Sequence, residues 1–435
     1  MKNSGIVIIF LGLVFLIFSC EEKEPEFHFP EIEVLAPAAF SDYNVLDTVW
    51  VKLRVISESP PVNLFISMQN EKYIQVLPTE IFPNIQLDSE LLVPFILKDS
   101  TMAGGVYSIR INAKSPDGSA SRYVNIYINA QPRELKSVWL VSKLSDTKLK
   151  ISVLNENLDQ IQTFNYQGNY AGSDISSTNQ QFAIAGANFG DLIVYSASDY
   201  ETVWEVPIIS NPVQPYFTSV EFSNEVLYVG FWDGFIKGYH NAGATLLTTS
   251  NNGSTIPCMI QPAGKYLVSA AKQRSNVNAW WMNVNHIEGG SIVTQQYLDH
   301  SPVILGLTYE EDILFYSNDA NGLISIFLSD PETGIISTPW FPYVLPAEKL
   351  ICGKDIGKEQ VILATENGVY VCKHHSYLAK INEMSEINII EFEELSQTIF
   401  AISGKNITQM DFQGNIISQL PQENNILNIH FLYSK

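Results

Sequence analysis

From residue 136 onward the chain repeats itself. The recurrent unit is an apolar strand-like burst, a tight polar turn and a second alternating burst. Phe182-Ala183-Ile184-Ala185-Gly186 is followed by Gly190-Asp191 and then Leu192-Ile193-Val194-Tyr195. Val226-Leu227-Tyr228-Val229-Gly230 is followed by Trp232-Asp233-Gly234 and Phe235-Ile236-Lys237-Gly238-Tyr239. The same order returns at Ile313–Phe327 around Asn321-Gly322, and at Val361–Val371 around Asn367-Gly368. Turn centres at Thr147, Gly190, Gly234, Val277, Gly322, Gly368 and Lys405 are spaced by 43, 44, 43, 45, 46 and 37 residues. Units at such a period cannot bury their apolar faces alone, so each must stack on its neighbours.

Seven units of about 43 residues fit the four-stranded blades of a β-propeller, whose period is about 40–45 residues. An α-solenoid would need long helical patterns, and a parallel β-helix shorter repeats. The first unit begins abruptly at Ser137-Val138-Trp139-Leu140-Val141, which reads as a second strand. The spare C-terminal stretch Ile426–Tyr433 supplies its missing innermost strand and removes the edges an open ring would leave. The expected fold of residues 136–435 is therefore a seven-bladed β-propeller closed by the C-terminal strand. The repeats resemble those of WD-like and quinoprotein-like propellers. The nearest local matches are Ser196-Ala197-Ser198-Asp199-Tyr200-Glu201-Thr202-Val203-Trp204 and Ser329-Asp330-Pro331-Glu332-Thr333-Gly334. A quinoprotein dehydrogenase would imply eight blades, a calcium ion and a large cofactor site. Seven units and two such motifs argue against it, and no cofactor or metal is expected.

Residues 28–130 carry short alternating bursts separated by turn residues: 31–37, 48–57, 62–69, 91–99, 106–115 and 120–129. Ser115-Pro116-Asp117-Gly118 joins the last two as a hairpin. About seven strands in about 100 residues describe an Ig-like β-sandwich. The Gly-x-Tyr-x-Ile stretch from Gly105 and the final hairpin resemble the Ig-like domains of bacterial surface proteins. Residues 131–135 read as a linker, so the whole chain is expected to be all-β.

The N-terminus reads as an address. Lys2 precedes the 14-residue apolar run Gly5–Phe18, too short to span a bilayer, which needs about 20 residues. The run ends Ile17-Phe18-Ser19-Cys20, which resembles a bacterial lipobox and implies a signal peptide over 1–19 with acylation of Cys20. The acidic tether over 20–27 resembles the export signal of Bacteroidota surface lipoproteins. These resemblances imply an outer-membrane lipoprotein held to the membrane at Cys20 and facing either the cell surface or the periplasm. Cys258, Cys352 and Cys372 are scattered, with no CxxC spacing, so neither a disulfide framework nor a zinc site is expected.

Charge and residue type then exclude functions. A net charge of −21 repels a phosphate backbone, which removes nucleic acid as a partner. A sialidase clamps its substrate carboxylate with several arginines, and residues 136–435 contain one, Arg274. No HExxH or HxH spacing exists, and His374-His375 reads as a turn pair. No G-x-S-x-G elbow is present, although a Ser-His-Asp set can be assembled in space from distant residues. The acidic pairs Glu310-Glu311 and Glu393-Glu394 read as solvated turns between first and second strands.

A binding surface remains. In a propeller the second-to-third-strand turns and the interblade connections share one face around the channel mouth. Here they carry aromatics and amides suited to sugars or peptides: Phe189, Trp232, Asp233, Asp319 and Asn321 from turns, and His300, Trp340 and Tyr343 from connections. The expected function is non-enzymatic: a lipid-anchored cell-envelope protein whose propeller holds a glycan, peptide or protein at the channel mouth. Its rivals are a propeller enzyme acting on a surface or extracellular polymer, such as a lyase, lactonase or glycan-active hydrolase, and a scaffold in outer-membrane assembly.

Overall fold

A computed structural model describes residues 28–435 except 72, 100–101, 210–214, 224, 250–252, 310–311, 339–343, 358–359, 374–375 and 435. Cys20, His374, His375, Trp340 and Tyr343 lie outside the described residues. The described residues contain strands and turns and no helix, and thus no helix long and apolar enough to cross a membrane. The chain divides into two compact units at Pro132/Arg133.

The first unit is a two-sheet sandwich. Its strands are β1 (Glu31–Ala36), β2 (Ser41–Asn44), β3 (Thr48–Ile56), β4 (Asn63–Gln69), β5 (Gln75–Phe82), β6 (Glu90–Ile96), β7 (Gly105–Ser115) and β8 (Gly118–Asn129). One sheet has the order β1-β3-β6, the other β2-β8-β7-β4-β5, with β2 parallel to β8 and the remaining pairs antiparallel. Alternation builds the interior. Val49, Val51, Leu53 and Val55 of β3 face one way and meet Leu64, Ile66 and Met68 of β4 and Ile109 and Ile111 of β7 in one continuous core.

The second unit contains seven four-stranded antiparallel sheets. In six of them the strands follow chain order outward from the channel. Their inner strands are Gly172–Ser176, Phe217–Ser223, Thr255–Ala263, Ser301–Tyr309, Leu350–Gly357 and Ile389–Glu393. In the remaining sheet the inner strand is Ile426–Tyr433, paired antiparallel with Leu135–Ser145, so the two ends of the unit share one sheet as the sequence led us to expect. A reciprocal clasp finishes the seam: the Glu134 N–H donates to Ser434 Oγ at 2.9 Å, and the Ser434 N–H donates to Glu134 O at 2.7 Å.

Apolar side chains fill the wedges between consecutive sheets. Seven separate clusters result, one for each sheet-to-sheet junction, and they return to their start. At the junction next to the seam, Trp139 stacks on Phe182 with ring centres 4.7 Å apart. This closed ring of antiparallel sheets is a β-propeller. Gly190 and Gly234 adopt φ of +95° in the turns that follow second strands, a conformation that disfavours side chains and makes these turns visible in the sequence. One expected turn centre is displaced: Val277 lies within the third strand Asn276–His286, and the turn falls two to three residues earlier, between Gln273 and Asn276.

Candidate functional site in the propeller channel

Packing wedges between sheets leaves the axis unfilled, and the inner strands line what remains. One cavity, of about 480 Å³, takes lining residues from all seven inner strands and the connections leading into them, among them Tyr170, Ser173, Ser219, Glu221, Cys258, Gln261, Ile304, Lys354, Glu391 and Asn428. A second, of about 400 Å³, lies further along the same strands and is lined by Asp174, Ile356, Phe392, His430, Phe431 and Tyr433. Lys354, Asp355 and Glu391 border both cavities and mark the waist between them.

Five inner strands send ionisable side chains to this waist: Asp174, Glu221, the neighbours Lys354 and Asp355, Glu391 and His430. Lys354 Nζ lies 2.6 Å from Glu391 Oε2. The Lys354 side chain retains 42% of its surface, and that surface faces the lumen while protein surrounds it laterally. Burial pulls Lys354 down, yet the charges of Glu391, Glu221 and Asp174 outweigh it and hold the ammonium above its ordinary value. Burial pushes the Asp174 carboxyl up to about 6, against two backbone donors, Phe222 N–H at 2.6 Å and Ile175 N–H at 2.8 Å. Glu221 is raised well above the carboxylate range by burial and then by the Asp174 charge. Asp355 is raised, again by burial. One cation among four acids leaves the waist with a negative field.

A Ser-His-Asp set does assemble here. His430 Nε2 lies 2.8 Å from Ser173 Oγ, and His430 Nδ1 lies 3.5 Å from Asp174 Oδ1. Its partners speak for a brace. Ser173 Oγ is also bonded to Tyr170 OH at 2.9 Å, and Tyr170 OH accepts from Asn428 Nδ2 at 3.0 Å. Burial first, and the Lys354 charge second, pull His430 down to about 3, far from the value a general base needs near neutrality. The network ties the C-terminal strand to Gly172–Ser176 and so locks the seam.

The residues chosen from sequence sit elsewhere. Phe189, Trp232, Asp233, Asp319 and Asn321 occupy turns between second and third strands, and His300 lies on a connection between sheets. None of these six lines either channel cavity. Backbone bonds link this rim to the start of the inner strands: Asn169 N–H donates to Phe189 O, Tyr216 N–H to Ala187 O, and Trp232 N–H to Tyr216 O. The larger cavity, which Tyr170 and Gly172 line, therefore opens at the end that carries these turns.

Several rim residues have local tasks. Asp319 accepts the N–H groups of Asn321 and Leu323, both at 2.8 Å, and Asp233 accepts that of Phe235, so both acids shape their own turns. The guanidinium of Arg274 lies 5.7 Å from the Trp232 ring centre and donates to Trp232 O. His300 packs on Phe327 with ring centres 4.5 Å apart. Phe189 keeps about half its surface exposed.

Sequence reasoning missed the waist. The signal was an ionisable residue between apolar neighbours in the middle of a first strand: Val220-Glu221-Phe222, Ile390-Glu391-Phe392 and Ile429-His430-Phe431. The cysteines follow expectation in part. Cys258, Cys352 and Cys372 form no disulfide among the described residues; Cys372 is buried and Cys258 lines the larger cavity.

No family model and no curated protein matches the chain. Solved structures with a similar chain course include a quinonprotein alcohol dehydrogenase-like protein from Bacteroides thetaiotaomicron, 11% identical, covering 92% of this chain and 99% of that one with a TM-score of 0.47. The WD40 domain of Toxoplasma gondii coronin is 10% identical, covering 67% and 82%, with a TM-score of 0.47. The Myceliophthora thermophila Swd1 β-propeller domain is 13% identical, covering 61% and 90%, with a TM-score of 0.45.

Proposed function

We propose that this chain is a lipid-anchored cell-envelope binding protein whose propeller holds a partner at and within the channel mouth. In this reading Cys20 carries the acyl anchor at an outer membrane. The first unit is an Ig-like spacer: its sheet orders, with β1-β3-β6 facing β2-β8-β7-β4-β5, follow the Greek-key arrangement of that sandwich. The seven sheets of the second unit are its seven blades.

The supporting observation is the cavity of about 480 Å³, of a size to accept a small molecule or a side chain, to which every inner strand contributes. A ligand there would touch all blades at once, and the rim residues Phe189, Trp232, Asp233, His300, Asp319 and Asn321 would extend its contact outward, joined by Trp340 and Tyr343. Among the described residues the Ser173–His430–Asp174 set is the feature that speaks for an enzyme, and its low-pKa histidine and engaged serine favour the brace instead.

The test is capture of glycans and peptides on surface arrays by the full chain. Gln261→Trp, which fills the cavity from its wall, should abolish capture. Trp232→Ala should weaken it about tenfold or more, the worth of one well-buried aromatic contact. Capture that survives both substitutions would place the binding site off the channel axis.

A further inference from the structure

Resting on the channel-binding reading, we infer that the larger cavity takes an organic cation bearing a primary ammonium, held by the carboxylate of Glu221. Three carboxylates at the waist are already committed. Glu391 is engaged by Lys354 at 2.6 Å, Asp174 accepts two backbone N–H groups, and Asp355 accepts the Gly357 N–H at 2.9 Å. Glu221 differs. It lines the cavity, it is enclosed by protein apart from its lumen-facing side, and among the described residues no group donates a hydrogen bond to it. A half-buried carboxyl that faces the lumen without a donor from the protein is the group that a ligand can satisfy.

The sign of the ligand follows from the charges that face Glu221. Lys354 and Glu391 offset one another in their contact, and the Asp174 carboxylate that remains repels an anion. An anionic ligand would have to displace Glu391 from Lys354, while a cation would meet Glu221 directly. Ser219, Gln261 and Tyr170, whose side chains carry oxygen atoms, also line the cavity. Burial and the neighbouring acids keep Glu221 protonated beyond the ordinary carboxylate range. A bound ammonium would return it to the ionised form, so binding releases a proton and strengthens as pH rises. The other ionisable groups around it are Asp174, Asp355, Lys354, Glu391 and His430, and His430 is already neutral across that range.

Cadaverine and glutarate, similar in length and opposite in charge, serve as probes in titration calorimetry on the full chain. We expect cadaverine to bind one-to-one and glutarate not to bind. The affinity for cadaverine should grow from about pH 5 to about pH 8, with a heat that varies with the buffer's ionisation enthalpy. Glu221→Gln should weaken it at least tenfold; if that variant does not fold, the proton release by the unaltered chain decides. Equal binding of glutarate, absence of cadaverine binding, or unchanged affinity in Glu221→Gln overturns the inference. If cadaverine fails while an array ligand is captured by the unaltered chain and lost in Gln261→Trp, the cationic assignment falls and the channel reading stands. If the array ligand is retained by Gln261→Trp, the channel reading itself falls.

Discussion

The two units solve the same problem, burying alternate residues of β-strands, with opposite consequences for the interior. In the sandwich, two sheets close on a single core from Ile32 to Ile128. In the propeller most apolar residues are divided among seven wedges, and the axis is an open lumen that polar and apolar side chains line together. One core gives a solid body. Seven cores give a solid wall around a lumen, and the lumen is where Asp174, Glu221, Lys354, Glu391 and His430 can be kept without disturbing apolar packing.

The contrast can be broken most severely at the seam. Deleting residues 426–435 removes the inner strand of one sheet, leaves Leu135–Ser145 with an open edge and uncovers the cluster around Val138 and Phe400. The propeller should lose several kcal/mol, enough to unfold at ordinary temperature, while the sandwich keeps its own melting transition. A truncated chain whose calorimetric trace matches the parent would refute the closure.

Single large-to-small changes come next. Phe182→Ala, at a fully buried ring stacked on Trp139, should cost about 3–5 kcal/mol, and Leu53→Ala in β3 about 2–5 kcal/mol. Each should lower one transition and leave the other in place. A shared shift in both would show that the units unfold as one.

The smallest effect is a pH slope confined to the propeller. His430 is depressed in the fold, so its contribution is complete above its unfolded value near 6.5 and is lost as pH falls toward about 3. By pH 5 this amounts to about 2 kcal/mol. Asp174 is raised to about 6 and acts with the opposite sign: its contribution is greatest below its unfolded value and fades as pH climbs through about 6. Glu221 acts in the same sense as Asp174. The unaltered propeller should therefore melt at nearly constant temperature between pH 7 and pH 5. His430→Gln, which can still reach Ser173, should be more stable at pH 5 than at pH 7. Identical slopes in both proteins would mean that the histidine is not held neutral.

Much of this architecture could be read from residues alone, because the signals were local. Turn glycines such as Gly190, Gly234 and Gly322 mark the repeat, and alternation in Val106–Ala113 marks the sandwich face. The pairing of Ile426–Tyr433 with Leu135–Ser145 was legible because a surplus strand at one end of the propeller matched a missing one at the other. The channel was not legible, for a physical reason. Whether Glu221 or Glu391 faces a lumen or bulk water depends on the tilt of a whole sheet, and a lone acid between apolar neighbours reads the same in either setting. Rim aromatics such as Trp232 draw attention by type, yet its nearest cation, Arg274, comes from a different sheet, which no local pattern announces.

The clasp between Glu134 and Ser434 joins residues 300 positions apart. The propeller thus cannot close before Ile426–Tyr433 has been made. Until Ile426–Tyr433 has left the ribosome or crossed a membrane, the strand Leu135–Ser145 presents unpaired backbone that any passing strand could capture. Contacts of such span also fold slowly, in milliseconds to seconds for sheet proteins. The cell must therefore carry this molecule as an unfinished ring until that strand emerges, and a chain that stops short of it would keep an adhesive edge.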